Sequence, residues 1–306
     1  IGESAFANCA NLTNIDISDN ITTVGTNAFG NCNKLPYNIH NNAKYLGTAE
    51  NPYMILIELT NTKVNNISVH KDTKIICDSA LSFAYSITDI TVDNNNNYYT
   101  SIDGNLYTKD KKTLIKYAIA KEDKSFTIPN SVITISRSAF ENCSNLETIT
   151  IPNSVTTIMD LAFSNCRNLS NIALTESITT IGAGAFKGCQ NITEIIIPDS
   201  VINLETEVFN HCTNLKNVII GKGITTIKEA CFFNCKNLSS ITIPKNITNI
   251  QKLVFYDCSK LTNIKFENVD NWNADGTAIS SSDLTNETTA AQYLTKTHVL
   301  KTWTKY

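Results

Sequence analysis

Six cysteines recur at a fixed interval of 23 residues along the second half of the chain. They stand at Cys143, Cys166, Cys189, Cys212, Cys235 and Cys258. The residues between them repeat in the same register, and a self-similar period of this length is typical of solenoids. Because one coil is too small to bury its own apolar side chains, successive coils must stack. The period therefore predicts a repetitive core and a function carried on a repeated surface.

The apolar positions of one copy predict how a coil is built. In residues 146–151 apolar and polar residues alternate, as in a short strand with one buried face. A proline follows in several copies and ends the strand, because proline cannot donate to a sheet ladder. The apolar pair in residues 155–158 returns the chain to the core on the opposite wall. Residues 162–166, with the pattern Ala-Phe-x-x-Cys, are predicted to form about one helical turn.

The full consensus, Leu-x-x-Ile-x-Ile-Pro-x-x-Val-Thr-x-Ile-x-x-x-Ala-Phe-x-x-Cys, resembles the BspA-like branch of the leucine-rich repeats over nearly the whole chain. The resemblance implies a right-handed leucine-rich repeat solenoid, a β-rich α/β fold. A parallel sheet would form one face, and short helical turns and extended segments the other. The spacing predicts about twelve coils.

Leucine-rich repeats in general place an asparagine just after the strand, where its side chain bonds the loop backbone. The residues at the matching positions are small and mostly polar, which suggests a weakened version of that ladder. They are Asn20, Ser131, Ser154, Ser177, Ser200, Gly223 and Asn246.

Two insertions interrupt the repeat, at about residues 36–60 and 94–124. The second contains Asp103 and Gly104, a dipeptide favoured in hairpin turns, between stretches that alternate in polarity. We therefore expect a hairpin carried on the edge of the solenoid. The resemblance supports this, since members of the family often carry such inserts.

The repeat dissolves after residue 266. A terminal coil would expose an open apolar face and an unpaired strand edge. Residues 1–266 are therefore predicted to form the solenoid, and residues 267–306 to fold over its end as a cap with a short helix near 285–296. The large apolar anchors of that segment are Trp272, Tyr293, Leu294 and Trp303. Because the chain begins inside a coil, at Ile1, we expect it to be part of a longer protein.

Bulk composition excludes several classes of partner. The net charge is −3 and only 17% of residues are charged, without a basic stripe, which argues against nucleic acid. No apolar run approaches the ~18 residues needed to span a bilayer.

The ten cysteines raise three alternatives: a metal site, disulfides or buried thiols. Stacked coils place successive thiols about 5 Å apart with parallel side-chain directions, which disfavours a bond between them. Cys231 and Cys235 lie close in sequence, but no second pair or histidine completes a zinc set. We predict a column of free, buried thiols that act as small hydrophobes, with no metal and no cofactor.

The histidines do not suggest catalysis. His40, His70, His211 and His298 fall in different coils and off any shared column, and none has a Ser, Cys or Asp partner at a recognisable spacing. We therefore expect no enzyme, although a site assembled across distant coils is the alternative.

The strand residues turned away from the core form the candidate binding face. It comprises Thr148, Thr150, Asn171, Ala173, Glu194, Ile196, Asn217, Ile219, Ser240 and Thr242. Ala173, Ile196 and Ile219 are consecutive in the stack and are predicted to form an apolar patch on a polar face. Exposed patches of this kind mark partner contacts. The alternatives are the preference of β-branched residues for strands and coverage by a second copy of the chain.

We expect a non-enzymatic extracellular module that binds proteins or mediates adhesion. The resemblance implies a surface-exposed or secreted protein, since BspA-like proteins of this type occur in bacteria and some parasitic protists and include adhesins for extracellular-matrix proteins. Host proteins of the matrix type are the expected partners. A glycan is conceivable, but the face lacks an aromatic platform for sugar stacking. The alternative is a structural spacer or stalk that presents another domain and has no ligand of its own.

Overall fold

The computed structural model describes residues 1–82 and 84–305. They form two compact units, Ile1–Lys121 and Glu122–Tyr306, which divide within the second insertion. Residue 83 of the predicted solenoid and residue 306 of the predicted cap lie outside the described residues. The predicted division between residues 266 and 267 stays a prediction.

The described part of the first unit contains nine strands. They are β1 (Asn38–His40), β2 (Ala43–Leu46), β3 (Ile55–Leu59), β4 (Asn66–Val69), β5 (Ile75–Ile76), β6 (Asp89–Val92), β7 (Tyr99–Ile102), β8 (Asn105–Thr108) and β9 (Thr113–Lys116). The repeat strands β4 and β6 pair in parallel, with Ile67 opposite Ile90. Both isoleucines are buried, as the alternation predicts.

The first insertion forms an antiparallel sheet, β1-β2-β3, that joins the repeat through its last strand. β3 pairs in parallel with β5, so the insertion supplies a strand to the repeat. After the insertion, the repeat pattern resumes in a coil that hydrogen-bonds to the coil preceding the insertion. The thiol of Cys77 donates to the carbonyl of Gly25 at 3.2 Å, and the amide of Asn27 donates to Ser79 Oγ at 2.9 Å. The insertion is therefore accommodated without breaking the contact between the coils on either side of it.

The hairpin predicted in the second insertion is confirmed. β7 and β8 pair antiparallel around Asp103 and Gly104, whose φ angles of 48° and 69° are both left-handed, as the tightest hairpin turns require. The hairpin is more than an attachment at the edge, because Leu106 and Tyr107 are buried in the core of the unit. It also accepts a hydrogen bond from the Ile90 amide at the Gly104 carbonyl, at 2.9 Å.

The second unit stacks its repeat strands in two columns. The first column contains β10 (Ser125–Thr127), β12 (Thr148–Thr150), β14 (Asn171–Ile172), β16 (Glu194–Ile196), β18 (Asn217–Ile219), β20 (Ser240–Ile243) and β22 (Asn263–Phe266). The second contains β11 (Thr134–Ile135), β13 (Thr157–Ile158), β15 (Thr180–Ile181), β17 (Asn203–Leu204), β19 (Thr226–Ile227) and β21 (Asn249–Ile250). The chain forms about nine turns with parallel strands. The sequence predicts about twelve. One of the additional coils is that around Ile15 and Ile17, which has the apolar pattern of a repeat but no assigned strand.

A ladder of phenylalanines runs through the core of the second unit. The six rings are Phe140, Phe163, Phe186, Phe209, Phe232 and Phe255. Neighbouring ring centroids lie 5.0 to 5.8 Å apart, and their planes deviate from parallel by at most 11°. Strands in a sheet are about 4.8 Å apart, so coils in register bring identical rings into stacking distance. All six rings are fully buried.

The prediction of a helical turn over the Ala-Phe-x-x-Cys segment is wrong. Asn165 in this segment has a left-handed φ of 57°, which a right-handed helix cannot contain, and Leu161 just before it has a left-handed φ of 55°. The amides of Leu161, Phe163 and Asn165 donate to carbonyls of the next coil at 2.7 to 2.9 Å. The amides between them close turns within the coil. We call this arrangement the turn ladder.

Nine of the ten free cysteines are buried, as predicted, whereas Cys9 is exposed; thiols of the repeat are also hydrogen-bond donors. Each Sγ from Cys166 to Cys258 in the repeat donates to the phenylalanine carbonyl of the preceding coil, at 3.0 to 3.3 Å. The same carbonyl accepts an amide within its own coil, so both of its lone pairs are used. Cysteine suits this slot because it is small, apolar and still a weak donor.

The weakened polar ladder predicted after the strands is confirmed at three positions. The side chains of Ser177, Ser200 and Asn246 each donate to a carbonyl of the preceding coil, at 3.0, 2.7 and 2.5 Å. These bonds use carbonyls that the short strands leave unpaired.

The residues after the last repeat strand cover the final coil. They form β23 (Trp272–Ala274), β24 (Thr277–Ala278), helix α1 (Ser281–Thr285), helix α2 (Glu287–Gln292), a π-helical turn (Tyr293–Thr297) and β25 (Trp303–Lys305). β25 pairs antiparallel with β21, and α2 packs beside β22. Trp272 and Trp303 are fully buried here. Within residues 1–82 and 84–305, every helix is too short or too polar to cross a membrane.

Replacing Phe209 with alanine tests the ring ladder. We expect Phe209→Ala to lower the free energy of unfolding by about 3–5 kcal/mol, because it leaves a cavity between two stacked neighbours. Denaturant unfolding followed by circular dichroism measures the loss. The control is Ile202→Ala at a side chain that is 62% exposed. That variant should change the free energy by less than about 0.5 kcal/mol, and equal losses in both would contradict the ladder.

Gly188 tests the backbone of the turn ladder. Its φ is +73°, and an added Cβ would lie 2.5 Å from Asn165 Oδ1. We expect Gly188→Ala to destabilise the chain by about 1–2 kcal/mol, measured by thermal unfolding. Gly2 is the control, because a Cβ there meets nothing within 4 Å. A Gly188→Ala variant as stable as Gly2→Ala would contradict the assigned left-handed conformation.

Candidate binding face

All ten residues of the candidate face point away from the core. Thr148 is half-buried and the other nine are exposed. Their strand neighbours Ile149, Ile195 and Val218 are buried. The alternation of the repeat strands is therefore confirmed, while the binding role of the face stays a prediction.

The structure brings together two members of the predicted apolar patch. Ile196 and Ile219 are directly opposite each other on β16 and β18, with 58% and 59% of their surfaces exposed. Ala173 follows β14, and in the described part of the sheet no strand pairing joins β14 to β16. The exposed apolar patch therefore consists of the isoleucine pair. Ala173 occupies the equivalent position in the preceding coil, but among the described residues no strand pairing joins it to the pair.

A cleft of about 490 Å³ lies on this face next to the isoleucine pair. It contains five of the predicted residues, namely Glu194, Asn217, Ile219, Ser240 and Thr242. Asn263, Lys265 and Glu287 complete the lining together with the backbone side of β18 and β20. We call this the sheet-face cleft. Thr148, Thr150, Asn171, Ala173 and Ile196 lie outside it.

The charges of the sheet-face cleft are unbalanced. Glu194 and Glu287 contribute two carboxylates, and Lys265 contributes one ammonium group. Among the described residues, no ion pair joins any of the three to another side chain. The cleft therefore presents an apolar wall at Ile219 and an excess of negative charge.

Three polar lining residues of the sheet-face cleft are outside the predicted face. Asn263 and Lys265 continue its outward positions onto β22. Glu287 is the one of the three that does not belong to a repeat strand. It is the first residue of α2, and Asn286 caps that helix by accepting the amides of Thr288 and Thr289. The sequence contains the signal for the helix start, but the packing of α2 beside β22 depends on the folded end of the chain. This packing places Glu287 at the rim of the cleft.

Four of the buried thiols are poor nucleophiles. Burial raises the pKa of Cys231 to about 12, and it also raises the pKa of Cys189, Cys212 and Cys235. These thiols stay protonated at neutral pH, whereas the thiolate is the reactive form. In residues 1–82 and 84–305, no group of three or more His, Cys, Asp or Glu side chains is arranged to hold a metal ion.

Two of the histidines come together, which corrects the expectation that the four lie apart. His40 on the first insertion packs edge-to-face against His70, with ring centroids 4.9 Å apart, and Tyr53 stacks on His70 at 4.1 Å. Burial and the neighbouring His40 lower the pKa of His70 below its ordinary value. His70 Nδ1 accepts the Asp72 amide, so the ring is part of a local packing cluster.

Comparison with known proteins identifies the repeat. The family model for the BspA type leucine rich repeat region (6 copies) matches residues 1–121, 113–201 and 179–293. The chain belongs to the BspA-type leucine-rich repeat family. The family assignment confirms the resemblance drawn from the Ala-Phe-x-x-Cys pattern.

Solved leucine-rich repeat structures share this fold. A leucine-rich repeat protein from Eubacterium ventriosum is 29% identical, with a TM-score of 0.58, and the match covers 85% of this chain and 80% of that one. A leucine rich cell surface protein from Faecalibacterium prausnitzii is 28% identical, with a TM-score of 0.57, covering 88% and 69%. The pneumococcal vaccine antigen PcpA is 22% identical, with a TM-score of 0.62, covering 87% and 60%. No curated protein matches the chain.

Thiol titration tests the cysteine column of this BspA-type chain. Of ten cysteines, only Cys9 is exposed, and the other nine are buried. We expect a disulfide-exchange reagent to label one thiol quickly in the native protein and all ten after denaturation. Rapid native labelling of several thiols, or incomplete labelling of the reduced and denatured chain, would contradict the buried column.

Proposed function

We propose that the chain is a non-enzymatic module that binds proteins through its sheet face, outside the cell or on its surface. The exposed pair Ile196 and Ile219 is the main support. Apolar side chains exposed together on a rigid, otherwise polar sheet are typical of partner contacts. The ten residues of the candidate face, from Thr148 to Thr242, form the proposed contact area.

The sheet-face cleft indicates the chemistry of the partner. An aliphatic or aromatic side chain of the partner would cover the isoleucine pair. A lysine or arginine beside it would face Glu194 and Glu287. Such charge complementarity increases the association rate and specificity more than affinity. Host proteins of the matrix type are the partners that we propose to test first.

The proposed location outside the cell is supported by the comparisons. The similar protein from Faecalibacterium prausnitzii is described as a leucine rich cell surface protein. Residues 267–306 belong to the same proposal as the cap of the solenoid, since they cover the edge strands β21 and β22. A covered edge protects an exposed repeat protein from edge-to-edge aggregation.

Charge substitution in the isoleucine pair tests the proposed face. We expect Ile196→Asp with Ile219→Asp to abolish binding to those immobilised collagen, fibronectin or laminin preparations that bind the original chain, because each aspartate must be desolvated in the contact. Surface plasmon resonance measures the binding. The matched control is Ile202→Asp, which alters an isoleucine that is 62% exposed next to β17. Thermal unfolding of all variants should be nearly unchanged.

Four results would contradict the proposal. Unaltered binding by the double variant would exclude the isoleucine pair as the contact. Equal loss in Ile202→Asp would indicate a non-specific charge effect. Absence of binding to any protein tested would favour a spacer that presents another domain, and concentration-dependent association that the double variant removes would favour self-association.

A further inference from the structure

A second aromatic column lies outside the core of the second unit. His211 stacks on Phe233 with ring centroids 5.6 Å apart, and Phe233 stacks on Tyr256 at 5.2 Å. Unlike the buried phenylalanine ladder, this column is partly open to solvent, and Tyr256 is 43% exposed. Among the described residues no other ring stacks on Tyr256. The column therefore ends on Tyr256, which has Phe233 on one face and no aromatic ring from the described residues on the other.

A cleft separates Tyr256 from the end of the chain. Its volume is about 730 Å³, and α2 and the π-helical turn form the opposite wall. Thr288, Gln292 and Lys296 line that wall, while Asp257 follows Tyr256 on the near side. The volume falls within the roughly 300–1,000 Å³ of small-molecule sites. This terminal cleft is distinct from the sheet-face cleft, with which it shares only the helix α2.

The polar groups of the terminal cleft are available to a ligand. Within residues 1–82 and 84–305, the side chains of Gln292 and Lys296 have no hydrogen bond or ion pair. Asp257 is the exception, because its carboxylate forms an ion pair with Lys236, with 4.0 Å between Oδ2 and Nζ. The carboxamide of Gln292 both donates and accepts, the carboxylate only accepts and the ammonium group only donates.

These polar groups and the ring of Tyr256 restrict the classes of ligand that the terminal cleft can bind. A phosphate group would require several donors or cations, but Lys296 is the one ammonium group in the described lining of the cleft, and Lys236 is already paired with Asp257. A purely apolar ligand would leave these polar groups desolvated without partners. A sugar ring suits both the aromatic ring and the polar groups of the cleft. Its C–H face is apolar, and the hydroxyl groups around its rim donate and accept hydrogen bonds.

We propose that the terminal cleft binds a saccharide, with one sugar ring stacked on the face of Tyr256 that carries no aromatic ring. Asp257, Gln292 and Lys296 then bond the hydroxyl groups at the edge of the ring. The aromatic platform that the sheet face lacks is thus supplied at the other side of the last coil. The proposal goes beyond protein binding by the isoleucine pair and does not depend on it.

Saturation-transfer NMR on the whole chain tests the proposal. The probes are the methyl glycosides of glucose, galactose, mannose and N-acetylglucosamine. We expect transfer to at least one of them with a dissociation constant in the millimolar range. Tyr256→Ala should weaken the binding by about tenfold or more, because stacking is lost, whereas Tyr256→Phe should stay within about twofold.

Control variants show whether a loss of saccharide binding is specific to the terminal cleft. Tyr98→Ala removes a tyrosine of the first unit that is 45% exposed, and it should leave binding unchanged. Thermal unfolding shows whether the Tyr256→Ala variant is folded, and Gln292→Ala, at an exposed helix position, provides a second variant that should also weaken binding. The proposal is overturned if none of the four glycosides binds, or if binding survives both Tyr256→Ala and Gln292→Ala. Protein binding is measured separately, so failure of either proposal leaves the other standing.

Discussion

Hydrogen bonds between successive coils hold the rest of the structure in place. In the turn ladder, alternate amides donate to the next coil, and the thiol of each cysteine donates back to the preceding one. Backbone groups that would be buried without partners are thereby satisfied in a segment that has no regular helix or strand. The phenylalanine rings stack because these bonds hold equivalent residues in register. The exposed isoleucines face the same direction for the same reason.

The sequence predicted the interior of the coils well. Alternation in residues 146–151 identified the buried and exposed strand positions, and the Asp103-Gly104 dipeptide identified the hairpin. It did not predict the backbone of the Ala-Phe-x-x-Cys segment. Leu161 and Glu207 occupy left-handed positions there despite their side chains. Their conformation results from bonding to the neighbouring coil, and local propensity contains no such information.

The candidate sites were predictable only in part, for a related reason. The outward strand residues follow from the period of two, so Ile196 and Ile219 could be named from the sequence. Glu287 could not, because its position depends on how α2 packs beside β22. The terminal cleft was equally hidden, since Tyr256 belongs to the repeat and Gln292 to the segment beyond it. Both clefts form where the repeated coils contact the non-repeated segment that contains α2. The residues of that segment follow no repeat period, so their positions cannot be predicted from spacing.

The uniform ring stacking allows the number of coils to change during evolution. The contact between Phe163 and Phe186 is nearly the same as that between Phe186 and Phe209. A duplication or deletion of one whole coil therefore recreates an existing interface and introduces no new one. Unequal recombination of earlier coils can lengthen or shorten the array in whole-coil steps, while the terminal cleft, whose lining begins at Tyr256, is inherited with the final coil.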